Sequence, residues 1–192
     1  MAKKILLWLA RLVVLALVLT AGIAGLRWAL HRLDLARYPQ KYDAYVQAYA
    51  AENQLDPRLL YAVIRTESGF DPAATSGVGA RGLMQITQET FEWIKSKIAP
   101  DEAITFDDLY DPQVNIRFGA YYMAACMGRY QNHVATAAAA YHSGWGTVDK
   151  LLKSADYSAD GQTLHTFPYQ QMGLYVKKIA RAYEKYQTLY PA

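Results

Sequence analysis

The chain has 192 residues, 53% of them hydrophobic, and carries a net charge of +3. That length suits one domain with a sizeable core plus an appendage, and the composition excludes a disordered chain. Residues 1–30 hold four basic and no acidic side chains while the remainder holds 16 basic and 17 acidic ones, so the larger part has no basic excess with which to bind nucleic acid.

Residues 5–30 form an apolar run interrupted by Arg11. A tilted helix from Ile5 to Leu30, with Arg11 reaching back to a headgroup, is long enough to cross a bilayer, so residues 1–30 are expected to be a membrane anchor. The competing reading is a cleaved signal peptide, with Lys3 and Lys4 as its basic start and Thr20, Ala21, Gly22 and Ala24 as small residues for cleavage. Charge leaves the orientation open, because Lys3, Lys4 and Arg11 on one side face Arg27, Arg32 and Arg37 on the other. Residues 31–40 read as a short polar connector, and residues 41–192 as one all-helical domain.

Within that domain, residues 41–52 suit a helix. Asp56-Pro57 starts the next one, with Asp as N-cap and Pro at the first helical position, and Gly69 stops it. Residues 71–82 are glycine- and proline-punctuated and must be loop. Residues 83–98 resume helical spacing, with Leu83, Ile86, Thr90, Trp93 and Ile94 on one side. Asp111-Pro112 starts a helix that runs through Met127 and includes the single cysteine, Cys126. A lone cysteine there excludes an internal disulfide and reads as a small core residue. Thr136–Tyr141 forms an alanine-rich helix. Pro168 opens a long final helix with Tyr175, Ile179, Ala182, Tyr183, Tyr186 and Tyr190 on one face. His31, His133, His142 and His165 have no metal-ligand spacing, so neither a metal nor a cofactor is expected.

The helix after Pro57 is the most informative segment. Leu60, Val63 and Ile64 share a face, and Glu67 follows them by seven, four and three residues on that same face. Loss of hydration there disfavours the carboxylate and raises its pKa, which suits a general acid near neutral pH. From this pattern alone, a helix-end Glu that reaches solvent or caps a loop is the commoner reading. The loop that follows contains Gly77, Gly79 and Gly82, which permit close approach of backbone to a ligand. It also offers Ser76 and Gln85, neutral hydrogen-bonding groups of the kind an N-acetylated sugar needs.

At these residues the chain resembles the soluble-lytic-transglycosylase family, the goose-lysozyme-like glycosidases that cut peptidoglycan. The matching pattern is Glu67-Ser68-Gly69-Phe70, then Ser76, then Gly79-Ala80-Arg81-Gly82-Leu83-Met84-Gln85, with every fixed spacing kept. Later landmarks recur in order: Asn115-Ile116 with Gly119 and Tyr122, the alanines 137–140 leading to Tyr141-His142-Ser143-Gly144, and Phe167-Pro168 leading to Tyr175-Val176. The likeness covers roughly residues 45–190. Two departures stand out: His142 and Ser143 replace the family's Asn-Ala, and Gln171-Met172 replaces its Glu-Thr, whose Glu lines the cleft in some members.

The resemblance implies a lysozyme-like helical domain with a groove. It implies Glu67 as catalytic acid and base, with Ser76, Gln85, Tyr141, Tyr175 and His142 contacting substrate. The substrate would be the peptidoglycan glycan strand, cut without water to leave a 1,6-anhydro end. The catalytic domain would then lie outside the cytoplasmic membrane as a monomer, possible service to cell-wall or secretion machinery being left open. A hydrolase of the same fold and a catalytically silent glycan-binding module are the alternatives. From the residues alone Tyr141 and Tyr175 also suit core packing, His142 suits a plain loop position, and Trp145 suits either sugar stacking or loop anchoring. Asp71, Glu89 and Asp111 are the nearby candidates for a second carboxylate, and none matches a family catalytic position.

Overall fold

The computed structural model describes residues 1–191, apart from the side chains of Ala2, Lys4, Ala10 and Val13. It has two compact units, Met1–Pro39 and the chain from Gln40 onward. The first unit is one helix, α1 (Ala2–Arg37). It is long and apolar enough to cross a membrane, and its described apolar side chains from Ile5 to Leu33 are exposed. Residues 31–37, read above as the start of a connector, continue this helix, and the chain leaves it at Tyr38.

The second unit is built from helices joined by loops. Among the described residues the only β-structure is two isolated bridges, Thr75 with Arg81 and Arg81 with Ile86. Its helices are α2 (Asp43–Glu52), α3 (Pro57–Glu67), α4 (Gln88–Ile98), a 3-10 turn (Phe106–Tyr110), α5 (Pro112–Arg129), α6 (Val134–Ser143), α7 (Trp145–Leu151) and α8 (Gln170–Leu189).

Helix α3 is the central element. All six residues from Leu59 to Ile64 are buried, so it is wrapped on every side at mid-length. It packs on α8, which also packs on α6, while α5 lies against α6 and α2. Alanines 137–140 of α6 are buried, and their small side chains let α5 and α8 approach its axis closely. A second apolar cluster joins α4, the 3-10 turn and α5, with Phe91 stacked on Phe118 at 5.3 Å.

Both Asp-Pro starts behave as their chemistry requires. The Asp56 side chain accepts the Arg58 N–H, and the Asp111 side chain accepts those of Gln113 and Val114. The segment 83–98 differs from expectation in its first part. Residues 83–87 are not helical. Gln85 has φ +50°, and Arg81 and Ile86 exchange backbone hydrogen bonds. The helix starts at Gln88, where the Thr87 side chain caps it by accepting the Thr90 N–H. Leu83 and Ile86 are buried all the same, so the apolar spacing reported burial and not helix. Helix α7 and the 3-10 turn were not anticipated, and α8 begins two residues after Pro168, at Gln170.

Candidate active site

Glu67 is the last residue of α3, and Ser68 is its C-cap. The chain then turns sharply through Gly69 (φ +62°) and Phe70 (φ +71°), whose ring is buried close to Tyr61. This turn sends residues 71–87 back across the end of α3 as one wall of a cavity of about 230 Å³. Glu67, Ser76, Gln85, Tyr141 and His142 line that cavity, together with Val78, Thr87, Thr90 and Tyr122.

The wall is clamped at its base. The Ser68 hydroxyl donates to the Leu83 carbonyl at 2.8 Å. The Asn115 amide, fully buried in α5, accepts the Met84 N–H and donates to the carbonyls of Arg81 and Leu109. The Tyr141 hydroxyl donates to the Met84 carbonyl at 2.8 Å. A Cβ at position 82 would sit 2.2 Å from the Leu109 carbonyl oxygen, and Gly82 also has φ +73°, so only glycine fits there. The motif residues Ser68, Gly82, Met84, Asn115 and Tyr141 therefore form one hydrogen-bonded unit that fixes the wall against Glu67.

Glu67 is half-buried and sits at the carbonyl end of α3. Burial pushes its pKa up to about 7, and this outweighs the opposing hydrogen bond that Tyr175 of α8 donates to Oε1 at 2.6 Å. Tyr141 and Tyr175 are themselves held protonated well above the ordinary tyrosine range, first by burial and then by the nearby Glu67 carboxyl. At neutral pH both hydroxyls are thus donors. The Ser76 oxygen accepts the Ala80 N–H, which leaves its own proton to donate. The Gln85 amide donates to the carbonyls of Ala74 and Gly82, so its NH₂ secures the loop.

His142 stacks on the Tyr175 ring, with centroids 4.5 Å apart and planes 14° from parallel. Trp145 anchors α7. Its indole N–H donates to the Cys126 sulfur, and its ring packs against Tyr122 and Trp93. Cys126 is buried, as its neighbours implied. The candidates for a second carboxylate are occupied elsewhere: Asp71 accepts from the Ala73 N–H in a turn, Asp111 caps α5, and Glu89 is exposed in the first turn of α4. Among the described residues Glu67 is the only carboxylate on the cavity wall.

Sequence reasoning left Val78, Thr87, Thr90 and Tyr122 without a role. Thr87 is of a residue type favoured at helix N-caps, and it stands just before the helix that starts at Gln88. Tyr122 lies seven residues beyond Asn115, two helical turns along the face that bonds the wall. Val78 carries no spacing signal.

The class this geometry defines is a helical domain with one half-buried carboxyl on the wall of a cavity, and the comparisons place it further. The Transglycosylase SLT domain family matches residues 44–163, and the chain belongs to that family. It is 38% identical over 112 residues to a transglycosylase of enterobacteria phage PRD1, covering 58% of this chain and 38% of that protein. It is 29% identical over 167 residues to the soluble lytic murein transglycosylase of Escherichia coli K12, covering 86% of this chain and 25% of that protein. The X-ray structure of an inactive glutamate-to-glutamine variant of the lytic transglycosylase Slt from Pseudomonas aeruginosa aligns with a TM-score of 0.71 at 29% identity. That alignment covers 81% of this chain and 25% of the other. The chain spans between a quarter and two-fifths of the length of these curated relatives.

Proposed function

We propose that this chain is a membrane-anchored lytic transglycosylase that cleaves the β-1,4 bond between N-acetylmuramic acid and N-acetylglucosamine in peptidoglycan. The observation that carries the reading is Glu67: one carboxyl, protonated for much of the time near pH 7, on the wall of a cavity with no second carboxylate among the described residues. Two-carboxylate glycosidases have a separate group to act as nucleophile or to activate water. In the reaction proposed here the substrate supplies the second group.

In the proposed reaction Glu67 gives its proton to the glycosidic oxygen as the bond to the muramoyl anomeric carbon breaks. The muramoyl N-acetyl carbonyl stabilises the cationic carbon from within the substrate. The Glu67 carboxylate then takes the proton of that sugar's C6 hydroxyl, whose oxygen bonds to the anomeric carbon and closes a 1,6-anhydro ring. The proton count on Glu67 returns to its start and no water is consumed. Holding the C6 hydroxyl against the anomeric carbon makes the attack intramolecular, worth a large effective concentration. Ser76, Tyr141 and His142 would contact the sugars, while Tyr175 would fix the Glu67 carboxyl.

Helix α1 supports the anchor, with residues 1–30 in the membrane, residues 31–40 leading out of it and residues 41–192 as the catalytic domain. Since peptidoglycan lies outside the cytoplasmic membrane, the domain would lie there too. Purified full-length protein incubated with cell-wall glycan should release products one water lighter than those of a hydrolase, and Glu67→Gln should lower release by orders of magnitude. Products carrying a reducing end would replace this reading with that of a goose-type lysozyme. A wild-type protein that binds glycan and cuts nothing would replace it with that of a binding module.

A further inference from the structure

His142 stands where the family pattern has Asn, and the structure shows what its ring does. The hydroxyl of Tyr175 must lie within a few tenths of an ångström of its place to donate to Glu67 Oε1 at 2.6 Å. One face of the Tyr175 ring is covered by the near-parallel imidazole of His142, whose outer side is exposed. We propose that His142 is a positioning residue: its stack on Tyr175 keeps the tyrosine hydroxyl on Glu67 Oε1, so that Oε2 carries the transferable proton. The proposal rests on Glu67 acting as the acid.

The other groups around Glu67 leave this interaction prominent. Tyr141 of α6 and Tyr122 of α5 share the cavity wall, and burial raises the pKa of both phenols, so they are uncharged near pH 7. The Cys126 thiol of α5, close enough to act on both Tyr141 and Tyr175, is pushed up to about 12 by burial. Ser76, Gln85 and Thr87 of the loop and Thr90 of α4 are uncharged, and Glu89 of α4 acts on Tyr122 from an exposed position. Partial burial lowers the pKa of His142 itself, which favours its neutral ring. A tyrosine hydroxyl that donates to a carboxylate favours the ionised form. Loosening Tyr175 should therefore raise the pKa of Glu67.

The test is the pH dependence of kcat/KM between pH 5 and 9, for the full-length chain in detergent on soluble uncross-linked glycan strands. The wild-type basic limb reports Glu67 in the free enzyme. It should move to higher pH in Tyr175→Phe and, by less, in His142→Ala. A shift of about half a unit leaves roughly two- to threefold more of the acid form at pH 8. His142→Phe keeps a stacked ring and should keep the wild-type limb, whatever its absolute rate. The double variant His142→Ala/Tyr175→Phe should match Tyr175→Phe alone.

A wild-type limb in His142→Ala, a downward shift, a His142→Phe profile like that of His142→Ala, or summed shifts in the double variant would each overturn the proposal. Infrared titration of the Glu67 carboxyl reads the same shifts without turnover. It therefore separates failure of this proposal from failure of the proposed activity, which inert wild-type protein would reveal.

Discussion

The two ends of α3 carry the same functional group with opposite properties. Asp56 caps the N-terminus and Glu67 ends the C-terminus. Helix α8 runs antiparallel beside them, donating the Tyr183 hydroxyl to Asp56 and, eight residues earlier, the Tyr175 hydroxyl to Glu67. Burial raises the pKa of both carboxyls, yet Asp56 ends below its ordinary value and Glu67 at about 7. The difference lies in the remaining partners. Asp56 also receives the Arg58 backbone N–H and its guanidinium, and it stands at the positive end of the helix dipole. Glu67 has one neutral donor and stands at the negative end. A carboxylate with a cation and several donors stays ionised and secures a fold, while a half-buried one with a single phenol has its pKa pushed up to about 7.

The largest effect expected from breaking this contrast is on catalysis. Glu67→Gln should lower glycan release by roughly 10²–10⁴-fold, the usual worth of a general acid, with binding to cell-wall glycan retained in a pull-down assay. Removing the carboxyl at the other end should leave turnover per folded molecule nearly unchanged. Asp56→Ala should instead cost about 2 kcal/mol in urea unfolding at pH 7, from the lost cap and the lost hydrogen bonds of Arg58 and Tyr183. Since the folded pKa of Asp56 is depressed, its contribution is present above the unfolded aspartate value and disappears as pH falls through the folded one. The gap between wild type and Asp56→Ala should therefore narrow in acid.

For Glu67 the sign reverses. Its folded pKa is raised, so folding favours the protonated form. The stability this confers is fully present below the unfolded value of 4.5 and is lost as pH rises through about 7. Glu67→Gln should match the wild type in stability near pH 4 and exceed it by about 1–3 kcal/mol at pH 8, measured by urea unfolding at the two pH values. Equal stability at both would mean that the carboxyl is well solvated. The smallest effect separates the two tyrosines of α8. Tyr183→Phe should cost about 1 kcal/mol at pH 7 with no change in the pH profile of activity, whereas Tyr175→Phe should move that profile.

Much of this contrast was legible in the chain order. Asp56-Pro57 and Asp111-Pro112 announced their helix starts because capping is decided within three residues. Glu67 could be placed at the end of an apolar face because the helical period is fixed. The glycines and polar residues of the loop pointed to close ligand approach, and the matching spacing of Ser76, Gln85 and the later landmarks gave the family.

Other features were settled only when distant segments met. Residues 83–87 carry helix-like apolar spacing, but Asn115 and Tyr141 claim the backbone of Met84, so the segment stays a turn and the helix starts at Gln88, capped by Thr87. Nothing local distinguishes Tyr175, which bonds Glu67 from 108 positions away, from Tyr141, which bonds the loop behind it. The placement of Glu67 at the end of an apolar face was thus written into one turn of one helix. Its pKa, its hydrogen-bond partner and the absence of a second carboxylate on the described cavity wall depend on how α3, α5, α6 and α8 pack. Desolvation and donor geometry are properties of assembled surfaces, and a periodicity of three or four residues carries no information about them.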